Sequence, residues 1–325
     1  MKNIKLTVRG MAKAGLLMVA SNAAIAQQTV EFNSLNSQNG FHRIYNGEAE
    51  YTDKISGVFT RPTGTSGNVP VMVIMHGSAG NSDASTGTWS RHFLEMGIAT
   101  FVVDSFTPRS LKSSWADQSV LTDAGSAADG LKALEALAKI PGVDTNRIGV
   151  IGFSRGAIAA LHTSIKRVNN KILGPNSPLK FALHIAFYPA CVRYGTSNGQ
   201  PILIVLGDQD FNHPVSACQQ YVDVLKERGA KDVTFIVYPG AYHGFDVNRK
   251  DAYNAKIVSY RECKKRAEDL DNLSFLIDGI RVSAKEYVDY SKSCSTYGMQ
   301  VGYNQAADVA SKKLVSDFVR KHFAM

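Results

Sequence analysis

After its first two dozen residues the chain contains no run of the roughly 18 to 20 apolar residues that a membrane-spanning helix requires, so no such helix is expected in the folded part. It also lacks zinc-ligand spacing and any basic run interleaved with aromatics. Nothing therefore points to a metal, an organic cofactor or a nucleic-acid partner. Cysteine is scarce, at four residues in 325, which rules out a disulfide-dense miniprotein. With 44% apolar and 20% charged residues, what remains is the composition of an ordinary globular domain.

The formal net charge of +8 overstates the basicity of that domain. Four of the positive charges are Lys2, Lys5, Arg9 and Lys13, followed by the apolar stretch Gly15–Ala20 and by Ala24-Ile25-Ala26. This layout is that of an export signal over residues 1–26, with small residues where cleavage is expected. The mature chain is then expected to begin at about Gln27, to be periplasmic or secreted, and to form one α/β domain over residues 27–325. All four cysteines lie after the signal, and an even count in an exported chain suggests two disulfides. Three connectivities are possible. Strand order favours Cys191 with Cys218, because the ends of neighbouring parallel strands lie close, and that leaves Cys263 with Cys294.

From Tyr51 onward apolar strands alternate with helices. Strands are expected at residues 51–60, 69–75, 99–103, 148–153, 181–187, 202–206 and 233–238, and helices at 90–96, 123–140 and 215–228. Such alternation argues for a mostly parallel, doubly wound sheet with helices on both faces. Reactive groups in this architecture gather at the carboxyl ends of strands, and the chain carries polar residues at those positions.

The most informative of these is Gly152-Phe153-Ser154-Arg155-Gly156, between a buried strand and a helix of small residues. A serine at the tip of a sharp strand-to-helix turn needs neighbours with almost no side chain, and the following helix aims its N–H groups and positive dipole end at it. Ser154 is the candidate nucleophile. A serine hydroxyl needs a base, and His243, in the turn after the last strand, is the best placed; His76, His92, His162 and His213 are alternatives. The imidazole needs a carboxylate on its far nitrogen. Asp210 and Asp208 both qualify, Asp210 being preferred for its position in the loop and Asp104 being the outsider. The backbone N–H of Arg155 and one from the loop Gly77-Ser78-Ala79, Ser78 being preferred and Ala79 the alternative, are the candidate oxyanion hole.

His76-Gly77-Ser78-Ala79-Gly80, Val103-Asp104-Ser105-Phe106-x-Pro108-Arg109, the Ser154 turn, Gly207-x-x-Asp210 and Tyr238-Pro239-Gly240-Ala241-Tyr242-His243 together resemble the dienelactone hydrolase family. The similarity runs from about residue 46 to 245 and resumes at Tyr303-Asn304-Gln305-Ala306-Ala307. It implies an α/β-hydrolase fold, hydrolysis of a small-molecule carboxylic ester or lactone, and the Ser154, Asp210, His243 set already reached. Founding members of the family carry cysteine where this chain has Ser154, so activity on dienelactones themselves does not carry over. A second departure is a charged insertion at about 247–302, holding Cys263 and Cys294, which reads either as an active-site lid or as a solvated helical decoration. Arg109 and Trp115 are candidate substrate-binding residues, the guanidinium suiting a carboxylate and the indole an apolar body.

These features predict a serine hydrolase working through an acyl-enzyme. The same residues permit acyl transfer to another acceptor. A non-catalytic binding protein on this fold would be expected to lack one of the three.

Overall fold

The computed structural model describes residues 27–115, 117–210, 214–263 and 266–325. The expected signal at 1–26 and the alternative base His213 lie outside the described residues.

The main sheet has eight strands. These are β1 (Gln27–Ser34), β2 (Asp53–Thr60), β3 (Val69–Met75), β4 (Ala99–Asp104), β5 (Val143–Phe153) and β6 (His184–Phe187), then β8 (Ile202–Gly207) and β9 (Val233–Tyr238), with the two-residue β7 (Arg193–Tyr194) leaving the sheet between them. The order is β1-β2-β4-β3-β5-β6-β8-β9. β1 and β2 pair antiparallel, as do β2 and β4, and every pairing from β4 to β9 is parallel. The mostly parallel sheet is the expected one.

Helices cover both faces because the strands are apolar on both sides. Met72 and Ile74 of β3 enter one core with Trp89 and Phe93 of α2 (Thr88–Glu95), while Val71 and Val73 enter the other. That second core takes α1 (Phe41–Asn46), α3 (Asp123–Leu137) and α5 (Lys166–Leu173). α6 (Val215–Glu227) packs on the first core, and α4 (Arg155–His162) shares its residues between the two. The chain turns at β3: β4 lies on one side of it and β5 on the other. Loops leaving β3 and β5 therefore diverge around the crevice in which ligands of open α/β sheets bind.

Two strands of the main sheet depart from expectation. β1 is an edge strand in the alternating segment Thr29–Phe32, whose Val30 and Phe32 pack on the second core. The expected strand at 181–187 starts only at His184, although Ala182 N–H already donates to Ile148 and Val150 N–H to Leu183.

The insertion is mainly strand rather than helical. β10 (Ala252–Ser259) pairs with β14 (Thr296–Val301), and β11 (Arg266–Asp269), β12 (Ser274–Ile277) and β13 (Ile280–Val282) form a second small sheet that takes in β7. α7 (Ala284–Cys294) opens with a capping box between Ser283 and Glu286. α8 (Gln305–Phe323) then returns to the first core through Val315, Phe318, Val319 and Phe323. Both disulfides form, Cys191 with Cys218 and Cys263 with Cys294. Among the described residues no helix is long and apolar enough to cross a membrane.

Candidate active site

Ser154 sits where β5 ends and α4 begins, with φ 54° and ψ −113°. This conformation is strained for a residue with a side chain and is held by its surroundings. Its N–H donates to Phe187 O at 2.9 Å. A Cβ at position 152 would stand 2.0 Å from Gly156 O, and one at 156 would stand 2.2 Å from Met75 O. Both glycines are therefore required by backbone packed against backbone.

The turn brings three predicted residues into one line. The Asp210 carboxylate lies 2.7 Å from His243 Nδ1 and can only accept, so Nδ1 carries the proton. The Nε2 lone pair is thereby left to accept from the Ser154 hydroxyl at 2.9 Å. Asp210 and His243 are buried, and Ser154 is half-buried. The acid loop and the histidine loop touch through their backbones: a Cβ at Gly207 would meet Ala241 O at 2.0 Å. Asp208 faces away and caps the histidine loop by accepting from Gly240 N–H at 2.8 Å. Asp104 caps its own turn, accepting from Phe106 and Thr107 N–H.

Ser78 lies in the loop after β3. A Cβ at the preceding Gly77 would come within 3.5 Å of Ser154 Cβ, which shows how closely that loop passes the turn. Among the described residues neither Ser78 N–H nor Arg155 N–H has a hydrogen-bond partner. His76 sits behind this loop. Its Nδ1–H donates to Gly77 O and its Nε2 accepts from Ser105 N–H, and burial lowers its pKa, which fits a neutral structural imidazole rather than a base.

The Arg109 guanidinium, expected to face a substrate carboxylate, is directed into the protein. Its Nε donates to Asp53 at 2.6 Å, Nη1 to Asp129 and Ser105 O, and Nη2 to Asp129 and Leu35 O. The side chain is 5% exposed and every guanidinium nitrogen has an acceptor, so the residue ties β1, β2, the β4 loop and α3 together. Trp115 packs against Ile257, Met299 and Val301 of the insertion. Its neighbour Ser114 donates N–H to Ser78 O, and Val301 forms a bridge to His243. The insertion thus touches loops on both sides of Ser154.

Three further residues at the site carried no motif in the sequence. Tyr188 has its ring 4.6 Å from that of His243 and donates its hydroxyl to Asp246 at 2.8 Å. Asp246 also accepts from Trp89 Nε1 at 2.8 Å, and burial raises its pKa. Gln118 bridges Ser78 and the Arg155 guanidinium. All three act through contacts distant in sequence, which spacing cannot reveal. Among the described residues no cluster of three or more His, Cys, Asp or Glu forms a metal-binding group.

The dienelactone hydrolase family model matches residues 55–270, two thirds of the chain. The chain belongs to the dienelactone hydrolase family. Membership supports ester hydrolysis as the activity. Similar solved structures include a dienelactone hydrolase-like promiscuous phosphotriesterase from metagenomic libraries, 14% identical over 90% of this chain and 98% of that one, with a TM-score of 0.52. An α/β-hydrolase enzyme from a Medee basin deep-sea metagenome library is 15% identical over 90% of this chain and all of the other, with a TM-score of 0.54. At such identity these likenesses show the shared fold. No curated protein matches the chain.

Proposed function

We propose that this member of the dienelactone hydrolase family is a serine hydrolase that cleaves carboxylic esters or lactones through an acyl-enzyme. The observation that carries the reading is the unbroken line from Asp210 through His243 to Ser154, ending on a strained strand-to-helix turn. His243 Nε2 takes the hydroxyl proton as Ser154 Oγ attacks the carbonyl carbon. Asp210 holds the tautomer and stabilises the imidazolium. The oxygen of the tetrahedral intermediate is received by the N–H groups of Ser78 and Arg155, at the positive end of α4. Collapse expels the alcohol with the proton from His243, and water repeats the sequence to release the acid. Export to an oxidising compartment is part of the proposal and agrees with the two disulfides.

Hydrolysis of p-nitrophenyl acetate and butyrate tests it. Ser154→Ala should lower the rate by about 10³-fold or more, and a variant that keeps its rate would end the proposal. Asp210→Asn should be far more damaging than Asp208→Asn, since Asp208 only caps the histidine loop. Equal losses would reassign the acid.

A further inference from the structure

The two N–H groups of the proposed oxyanion hole come from segments that share no secondary structure, the loop after β3 and the first turn of α4. A single side chain spans them. Gln118 opens a short 3-10 turn (Gln118–Val120) in the segment between β4 and α3. Its Oε1 accepts from Arg155 Nε at 3.1 Å and from Arg155 Nη2 at 2.9 Å. A guanidinium can only donate, so this fixes which end of the amide is oxygen, and Nε2 donates to Ser78 Oγ at 3.1 Å. The Ser114 hydroxyl adds a bond of 3.3 Å to the same Oε1, and Ser114 N–H holds Ser78 O at 2.9 Å.

Arg155 is itself a fixed anchor. Its side chain is 5% exposed, Nη1 donates to Leu121 O at 2.5 Å, Nη2 donates to Gln118 O, and Asp123 lies 3.7 Å away across an ion pair. Burial works against its charge and lowers its pKa, Asp123 opposes that only in part, and neighbouring Arg193 adds to the lowering. Buried charged groups held this way are rigid, because moving one exposes an unpaired charge. Gln118 is exposed on its other side, so its removal opens no core cavity.

We infer that Gln118 is a positioning residue for the oxyanion hole, an amide clamp that sets the Ser78 N–H against the Arg155 N–H by holding Ser78 Oγ to the buried Arg155 guanidinium. The inference rests on the serine-hydrolase reading above. The clamp acts where charge develops: it touches no substrate, and it holds donors whose value depends on sub-ångström placement.

The test uses the folded protein with both disulfides formed. Gln118→Met keeps the side chain's length and removes its hydrogen bonds. It should lower kcat for p-nitrophenyl butyrate on the order of 10- to 100-fold while leaving KM within about twofold, since the hole matters in the transition state. Affinity for an aryl trifluoromethyl ketone should fall in parallel. That probe forms a bond from Ser154 Oγ to its carbonyl carbon, passes the hydroxyl proton to His243 and leaves an oxyanion in the hole. A double-mutant cycle with Ser78→Ala, which keeps the backbone N–H, should be non-additive by about threefold or more, because both substitutions break one contact. Should Gln118→Met not fold, Gln118→Asn carries the same test on a stem too short to span the gap. Unchanged kcat, a loss confined to KM, or additive effects would overturn the clamp. Ser154→Ala separates the two failures: if it is inactive while the Gln118 variants behave as wild type, the hydrolase reading stands without the clamp, and if it remains active both fall.

Discussion

The eight-stranded sheet and the insertion after His243 solve the same problem by different means. In the sheet, β3 and β8 are buried at every residue, and apolar strands packed on both faces supply their own cohesion. In the insertion, β10 reads exposed over its first five residues and β13 has no buried residue. Ribbons of this kind are marginal alone. The insertion is instead fastened by Cys263–Cys294, by Arg193 to Glu268 and by Arg228 to Asp269. A region with a continuous core can hold a strained serine; a region without one needs covalent and ionic staples.

The sharpest way to break this comparison is to put an unpaired charge into the sheet side. Arg109→Met leaves Asp129 buried with its main partner gone, and removing one member of a buried pair typically costs about 3–5 kcal/mol. Chemical denaturation should show a loss of that order, with activity per folded molecule retained. A fall in activity without a fall in stability would return Arg109 to the substrate.

A smaller and more local effect is expected from Cys263→Ser with Cys294→Ser. The loop they close spans 31 positions, for which chain-entropy estimates give roughly 3 to 4 kcal/mol. Hydrogen exchange should rise across the insertion and stay unchanged in β3, β5 and β8. Removing Cys191–Cys218, which joins the segment after β6 to α6, should instead loosen the sheet side. If both double variants loosen the same region, the division between the two parts fails.

The mildest lever is pH. Burial lowers the pKa of His162 and of His184 to about 4, below the ordinary 6.5. The unfolded chain binds these protons where the folded chain does not, so this stability is full above pH 6.5 and is lost as pH falls toward 4. The insertion has no histidine between residues 247 and 302. Burial opposes the charge on its anchor Asp269, but hydrogen bonds from Arg228, Asn272 and the Asp271 amide hold its pKa below 3.8, so that anchor is lost only at lower pH. Acid titration followed by exchange should therefore weaken the core between pH 6.5 and 4 before the Asp269 contact releases. The opposite order would overturn the assignment.

Much of the sheet was legible because its signals are local. Apolar runs such as residues 69–75 and 202–206 mark strands buried on both faces, and Gly152 and Gly156 mark a turn that only small residues permit. The strands of the insertion were not legible because they are short, charged and half-exposed, without a clean period of two, so the helical form of the decoration reading does not hold. Its one helix, α7, carries a visible capping box, whereas its strands acquire identity by pairing with β7 and with one another.

Strand positions, the turn at Ser154 and the gathering of polar residues at strand ends follow from the chain itself, since they depend on steric and apolar patterns within a few residues. Tertiary structure decided the rest. Asp210 rather than Asp208 faces His243 because Gly207 lets the acid loop press against Ala241 while Asp208 turns to cap Gly240. Arg109 became a buried tie because Asp53 and Asp129, 56 and 20 residues away in sequence, converge on it. Gln118 joined Ser78 to Arg155 across 40 and 37 residues, contacts that depend on packing and leave no periodic trace in the chain.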